Sequence, residues 1–303
     1  YYEKEKNIIH CWDDEKGYFT SKYRRYAYVR DGNGAHQSIH GERLKKLNWW
    51  KAEDDLQLYE SDVNEVTRFL IDEYGDSDES STGHTIFTFD IEVEMLSGLP
   101  NIDKAENEIT AVAGHDSVTN DYFVYVVNKG EKIDKTIKGA QVQSFDTEED
   151  LLIAFLTKWQ EINPTIVTGW NIDYFDVTYL YNRLKNKFGE RLANKLSPIG
   201  KVHYNKYRKR YIIGGVSCMD YLALYKCYTY TELPNYRLDT VAQTELGRGK
   251  IEYEGNLDQL FRDDIEKFIE YNLVDVELVV DLEKKLQFID LARAICHTGH
   301  VFY

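Results

Sequence analysis

The order of strand and helix patterns after residue 84 places the strongest constraint on the fold of this chain. Three runs rich in β-branched and aromatic residues come first, with polar turns between them, at 85–93, 108–114 and 121–127. Such close succession predicts an antiparallel meander. Helix and strand patterns then alternate, with helices predicted at 148–162, 176–188, 238–246 and 263–286, strands at 165–168 and 216–220, and a basic hairpin at 201–213. The pattern predicts a layered, mixed α/β fold.

Capping signals mark several of these boundaries. Thr147 can cap a helix whose first turn is acidic, which suits the positive end of the helix dipole. Asn163 and Pro164 end that helix, and Gly189 closes the helix at 176–188. The two helices are therefore predicted with defined ends.

The residues before 84 predict a smaller, mixed domain. A strand is expected near Tyr26–Arg30, followed by a Gly-Asn-Gly turn at 32–34. Residues 74–83 are polar and acidic without periodicity, so a linker is predicted there. The larger α/β unit then begins at about His84.

Composition bounds the environment in which the chain works. Hydrophobic residues make up 43% of the sequence, enough for a sizeable core, yet no run approaches the roughly 20 apolar residues of a spanning helix. The four cysteines form no C-x-x-C pair, which favours a reducing compartment. We expect a soluble, cytoplasmic protein without a membrane partner, and the missing initiator Met predicts a fragment of a longer chain.

Charge is distributed unevenly along the sequence. The net charge is −15, which at first sight disfavours nucleic acid. Residues 181–250 nevertheless hold 14 Lys and Arg against 5 Asp and Glu. This basic segment is either a solvated surface or a site for a phosphate backbone.

Two acidic residues alternate on the first predicted strand of the α/β unit. Asp90 and Glu92 are two positions apart, so their side chains point to the same face of the sheet. Such a pair is usually a solvated polar face, and Glu94 continues the alternation. Alone, the pair does not predict a function.

Two later motifs carry further carboxylates. Asp176 follows the turn-forming segment that begins at Asn171 and starts a helix, where it could also serve as an N-cap. Tyr271 and Asp275 lie four residues apart in the last long helix, which puts the hydroxyl and the carboxylate on one helix face.

Taken together, these motifs predict a metal-dependent nuclease. Four converging carboxylates with no Lys or Arg between them would repel one another, and divalent cations compensate such repulsion. Oxygen ligands favour Mg²⁺ or Mn²⁺ over zinc. Two such ions about 4 Å apart activate a water for attack on a phosphodiester and stabilise the departing 3′ oxygen.

The same residues carry a family resemblance. The chain resembles the exonuclease region of family B DNA polymerases, and within that family the T-even-type bacteriophage group. The three exonuclease motifs are similar at 87–94, 168–183 and 271–277, and further similarity lies at 197–202, 215–226, 233–242 and, less specifically, at 38–43 and 60–70.

The resemblance implies a fold and a set of roles. The fold would be a ribonuclease H-like exonuclease domain with a smaller mixed N-terminal domain. Tyr271 would orient the attacking water, as in the tyrosine variant of this exonuclease superfamily. The metal-binding carboxylates would be Asp90, Glu92, Asp176 and Asp275.

The resemblance also implies a substrate and partners. The reaction would be hydrolysis of the 3′-terminal phosphodiester of single-stranded or frayed DNA, releasing nucleoside 5′-monophosphates. Asn171 and Phe175 would lie along the frayed strand, although a turn amide and a core ring explain them equally well. Expected partners are primer-template DNA, the missing polymerase domains, a sliding clamp and other replication proteins. The residues expected on the DNA backbone are Arg208, Lys209 and Arg210.

Domain bounds follow from the same resemblance. Residues 1–83 would form the N-terminal domain, 84–287 the exonuclease domain, and 288–303 the start of a return to the N-terminal domain before the polymerase palm. The segment Tyr74–Asp78 mimics a polymerisation motif, but it precedes the exonuclease motifs and is interpreted as part of the linker.

Two other functions stay open at this point. One is a non-catalytic module that binds single-stranded nucleic acid in the same groove. The other is an RNA-trimming exonuclease, because metal-bound phosphate looks alike in both polymers.

Overall fold

The computed structural model describes residues 1–301 except 14, 24, 52–55, 96–97 and 99. The chain divides into a smaller unit, Tyr1–Thr82 together with the segment that begins at Ala294, and a larger unit, Gly83–Arg293. Within the described residues, no helix has both the length and the apolar character needed to cross a membrane.

The smaller unit contains two antiparallel sheets and a helix. The predicted strand near Tyr26–Arg30 is confirmed, and so is the turn after it, where the Gly34 N–H bonds the Asp31 carbonyl at 2.8 Å. Asn64 caps the helix by accepting hydrogen bonds from two backbone N–H groups. The elements of this unit are β1 Tyr2–Glu3, β2 Ile8–Asp13, β3 Gly17–Lys22, β4 Ala27–Arg30, β5 His36–Gln37, β6 Arg43–Leu47, β7 Leu58–Tyr59 and α1 Glu65–Tyr74.

The segment expected to be a linker has no helix or strand between Ser77 and Thr85. Tyr74, at its start, is the last residue of α1, and its hydroxyl donates to Asp13 Oδ2 at 2.8 Å. The tyrosine of the polymerase-like sequence is thus held by a structural hydrogen bond.

The larger unit is built on one seven-stranded sheet and a separate hairpin. Its strands are β8 Ile86–Val93, β9 Ile109–Asp116, β10 Tyr122–Val127, β11 Asp134–Ile137, β12 Ala140–Phe145, β13 Ile166–Thr168 and β16 Ser217–Cys218, with the hairpin formed by β14 Val202–Asn205 and β15 Arg210–Ile213. The sheet order is β11-β12-β10-β9-β8-β13-β16. β8, β9 and β10 pair antiparallel, which confirms the predicted meander, whereas β13 runs parallel to β8.

Two of the helices that begin in this unit, α2 Glu148–Ile162 and α8 Ile265–Leu286, pack on the sheet. The others are α3 Asp176–Phe188, α4 Glu190–Ala193, α5 Tyr221–Tyr228, α6 Leu238–Leu246, α7 Leu257–Asp263 and α9 Phe288–Gly299, with a 3₁₀ turn at Asn194–Leu196. The predicted bounds of α2, α3 and α6 are confirmed.

Two predicted elements differ from the structure for local reasons. The helix expected from residue 263 begins at Ile265, because Asp264 caps it through the Lys267 N–H and Asp263 ends the preceding α7. The strand expected at 216–220 covers only Ser217–Cys218, since Asp220 caps α5.

The two faces of β8 have different environments. Phe87 and Phe89 pack on the α2 side, where Phe87 meets Trp159 edge-on with ring centroids 5.6 Å apart. On the opposite face, small residues of β9 share a hydrophobic cluster with Phe268 and Leu273 of α8. Because side chains alternate along a strand, Thr88, Asp90 and Glu92 face α8, whereas Ile91 and Val93 pack on the same side as the two phenylalanines.

Candidate active site

Three carboxylates meet where β8 faces α8. Asp90 and Glu92 are half-buried on that face of β8, and Asp275 projects from the helix. One oxygen from each carboxylate lies within 4.8 Å of the other two. The structure thus brings together three of the four acidic residues singled out in the sequence.

Asp176, the fourth, stands beside this three-carboxylate cluster rather than in it. It is 4% exposed at the start of α3, and its Oδ1 accepts a hydrogen bond from the Ile91 N–H at 3.1 Å. The N-cap position of α3 is occupied by Phe175, whose side chain makes no capping bond. The carboxylate of Asp176 is therefore directed at the strand, between Asp90 and Glu92, instead of capping its own helix.

Lys250 corrects one premise of the sequence argument. The expectation of four carboxylates without a Lys or Arg between them is wrong, since the Lys250 ammonium donates to Asp275 Oδ2 at 2.5 Å and to the Tyr271 hydroxyl at 3.2 Å. Lys250 lies outside any helix or strand, and its backbone N–H is held by Asp239 Oδ1 at 2.8 Å. No periodic pattern in the sequence could have identified it.

Burial and mutual repulsion raise the pKa values of the carboxyl groups. The pKa of Asp90 is raised well above its usual value by burial and by the charges of Asp176, Asp275 and Glu92. Burial likewise raises the pKa of Glu92 to about 8 and that of Asp176 to about 7.

The lysine compensates only part of this excess negative charge. Burial opposes the charge on Lys250, but the interactions with Asp275, Tyr271 and Asp90 together outweigh it and raise the lysine pKa. The site therefore carries more negative than positive groups and favours a further cation.

The donor set fits a divalent metal ion. Asp275 Oδ1 is buried without a hydrogen-bond partner among the described residues, although its other oxygen is bound to Lys250. All three clustered groups offer oxygen, the ligand that Mg²⁺ and Mn²⁺ prefer. The cluster can hold a metal ion.

Tyr271 lies one helical turn before Asp275. Its ring meets that of Tyr253 edge-on, with centroids 5.2 Å apart, and its hydroxyl accepts from Lys250. Burial raises the pKa of the Tyr271 phenol, so the hydroxyl stays protonated at neutral pH. It can donate one hydrogen bond next to the cluster.

The two residues expected along a DNA strand lie in the turn before α3. Asn171 has a left-handed backbone with φ 64°, and its N–H donates to Asp220 Oδ1 at 3.2 Å. Phe175 is half-buried and stacks on Tyr179 with centroids 5.5 Å apart. These contacts leave the turn and core explanations open beside strand binding.

The three basic hairpin residues that were expected on the DNA backbone fall into two groups. Arg208 and Lys209 are exposed in the turn between β14 and β15. Arg210 is half-buried and forms an ion pair with Asp173, in the same turn as Asn171. The structure thus separates two exposed hairpin cations from one that is paired with Asp173.

A mixed seven-stranded sheet with an acidic cluster between one of its inner strands and the helix packed on it is the architecture of a ribonuclease H-like exonuclease domain. The chain belongs to the exonuclease domain family of family B DNA polymerases, whose profile matches residues 74–241. The matched range includes Asp90, Glu92 and Asp176 and ends before Tyr271 and Asp275.

Curated relatives extend this similarity. The chain is 34% identical to a DNA-directed DNA polymerase of Escherichia phage RB69 over 80% of its own length and 30% of the relative. It is 33% identical to the DNA-directed DNA polymerase of Enterobacteria phage T4 over 96% of its length and 37% of the relative. A DNA polymerase catalytic subunit of human herpesvirus 8 is 29% identical over 67% of the chain. The chain spans about a third of the length of the two phage polymerases.

Proposed function

We propose that this chain is the proofreading 3′–5′ exonuclease portion of a replicative DNA polymerase. The observation that carries the proposal is the cluster of Asp90, Glu92 and Asp275 on the exonuclease fold of this polymerase family. The substrate would be the 3′ end of single-stranded or frayed DNA, and the product a nucleoside 5′-monophosphate.

Two divalent ions, Mg²⁺ or Mn²⁺, would be held by Asp90, Glu92, Asp176 and Asp275. The site would then be of the DEDD type, in which three aspartates and one glutamate bind the metal ions, in its variant with an active-site tyrosine. When bound, such ions lower the pKa of water and stabilise charge on the departing 3′ oxygen. The raised carboxyl pKa values support this assignment, because a cation would relieve the repulsion that raises them.

Tyr271 and Lys250 would prepare the attack. The Tyr271 phenol keeps its proton and can orient the attacking water through one hydrogen bond. Lys250 fixes the relative positions of the Tyr271 hydroxyl and the Asp275 carboxylate, since its ammonium binds both.

The frayed strand would leave the cluster past the turn that carries Asn171 and Phe175. Phe175 retains exposed surface on which a base can stack. Arg208 and Lys209 would neutralise phosphates of the DNA backbone. Arg210 would also lie along the backbone while it stays paired with Asp173.

The rest of the polymerase would supply the other partners. We infer an N-terminal domain at 1–83, the exonuclease domain at 84–287 and a return segment at 288–303. The palm, fingers and thumb, a sliding clamp and other replication proteins would belong to the parent chain and its assembly.

A time course on 5′-labelled single-stranded DNA tests the proposal. Wild-type protein with Mg²⁺ should shorten the DNA from the 3′ end one nucleotide at a time, and a chelator should stop it. The variant with Asp90→Ala and Glu92→Ala should lose degradation and keep its circular dichroism spectrum, because removing repelling carboxylates does not open the core.

Glu94→Ala is the matched control, since Glu94 directly follows the last residue of β8 and lies outside the cluster. It should degrade DNA at the wild-type rate. Wild-type-like degradation by the folded double variant would overturn the site assignment. Faster trimming of RNA than of DNA of the same sequence would overturn the substrate assignment.

A further inference from the structure

Asn272 links α8 to β8, the strand that carries Asp90 and Glu92. The residue follows Tyr271 and is 0% exposed. Its Nδ2 donates a hydrogen bond to Asp90 Oδ2 at 2.8 Å, joining residues 182 positions apart in the sequence. A side chain of α8 thus donates a hydrogen bond to a carboxylate of the cluster that lies on β8.

The orientation of this amide follows from chemistry. The NH₂ end of Asn272 faces Asp90, which is the orientation required when the carboxylate is ionised for metal binding and only accepts hydrogen bonds. The Oδ1 end is then buried without a hydrogen-bond partner among the described residues. An unpaired buried carbonyl destabilises a fold, and an apolar side chain of similar size would avoid that loss. The contact with Asp90 is the feature of the structure that explains an asparagine here.

The neutrality of the amide matters as much as its donor. Asp90 already experiences the negative charges of Asp176, Asp275 and Glu92. A cationic donor at position 272 would form an ion pair with the carboxylate, as Lys250 does with Asp275, and would compete there with a divalent ion. An amide fixes the plane of the carboxylate and adds no charge.

We propose that Asn272 is a positioning residue for metal binding. It restrains the Asp90 carboxylate through one oxygen, so that the group is held in orientation for a divalent cation shared with Glu92 and Asp275. This inference rests on the proposed function. Partners of this kind behind a metal ligand typically contribute about 10- to 100-fold in metal affinity or activity.

Three variants separate the positioning role from a packing role. Asn272→Leu removes the donor at similar volume, and Asn272→Ala removes it without a possible clash. Asn182→Leu is the matched control, because Asn182 is also buried and hydrogen-bonded but donates to the Ile102 carbonyl instead of the cluster. Asp90→Ala marks the loss of a proposed ligand.

The test is calorimetric titration of the whole chain with Mn²⁺, without DNA, well below the unfolding temperature. We expect Asn272→Leu and Asn272→Ala to bind Mn²⁺ about 10- to 100-fold more weakly than wild type, with Asn182→Leu unchanged. In cleavage assays, the Mn²⁺ concentration for half-maximal rate should rise for both Asn272 variants, and saturating Mn²⁺ should restore most of kcat.

Two outcomes would overturn the inference while the proposed function stands. One is Mn²⁺ affinity of both Asn272 variants within twofold of wild type while Asp90→Ala loses binding. The other is an equal loss of affinity in Asn182→Leu, which would mean that general destabilisation causes the effect. If Asp90→Ala itself bound Mn²⁺ like wild type, the metal assignment of the proposed function would fail with it.

Discussion

Replacing Glu148 by Gln should destabilise the larger unit strongly, although Glu148 opens a helix in a position that is usually solvated. Its side chain is 0% exposed, and both carboxylate oxygens bind the guanidinium of Arg183, at 2.7 and 2.6 Å. Oε1 also accepts from the Ile109 N–H at 2.8 Å. The group joins α2, α3 and the start of β9.

The magnitude follows from what the substitution leaves behind. Arg183 is 7% exposed and would lose its charged partner, keeping as acceptors the amide oxygen of the new Gln and the carbonyls of Ala105 and Glu106. Removing one partner of a buried ion pair costs about 3–5 kcal/mol, because a desolvated charge remains uncompensated. For a unit of this size, each kcal/mol lowers Tm by about 2–4 °C, so Glu148→Gln should lower Tm by about 10 °C.

The assay is thermal unfolding of wild type, Glu148→Gln and Glu149→Gln, followed by circular dichroism. Glu149 is the adjacent residue and also forms an ion pair, with Lys187 at 2.7 Å, but its side chain is 49% exposed. Exposed pairs contribute about 0–1 kcal/mol, so Glu149→Gln should stay within about 4 °C of wild type. Equal shifts in the two variants would refute the reasoning that burial decides the size of the effect.

The remaining predictions concern the site and the hairpin. Tyr271→Phe should lower the single-turnover cleavage rate by about 10²-fold, less than Asp275→Ala, because it removes an orienting hydroxyl and not a metal ligand. A milder effect for Asp275→Ala would reverse the two roles. Replacing both Arg208 and Lys209 by Ala should reduce the salt slope of single-strand binding, measured in Ca²⁺ to suppress cleavage, by about 1.4, or roughly 0.7 per phosphate. Arg210→Ala should change the slope less, since Arg210 is tied to Asp173, and an unchanged slope in the double variant would mean that the hairpin turn does not bind the backbone.

Local sequence signals were enough to predict the elements that carry the site. The period of two placed Asp90 and Glu92 on one face of β8, and the four-residue spacing placed Tyr271 and Asp275 on one face of α8. Thr147 and Asn163 predicted the ends of α2 because capping depends on residues within one helical turn.

Other parts of the sheet and site had no such local signal. β11 and β12 were not predicted, although β12 lies beside β10 in parallel, because that pairing depends on the sheet already being formed. From the sequence, Glu148 was one of three acidic residues in the first turn of α2, a position that is usually exposed. Only the packing of α3 on α2 buries it against Arg183.

The sequence by itself determined which carboxylates could share a surface, and the tertiary structure decided how each one is held. Lys250 reaches Asp275 across 25 positions, Asn272 reaches Asp90 across 182, and Asp176 meets a strand backbone 85 positions away. Periodicity fixes the direction of a side chain relative to its own strand or helix. The partner that it meets depends on how helices pack on the sheet, and that packing is set by the whole core.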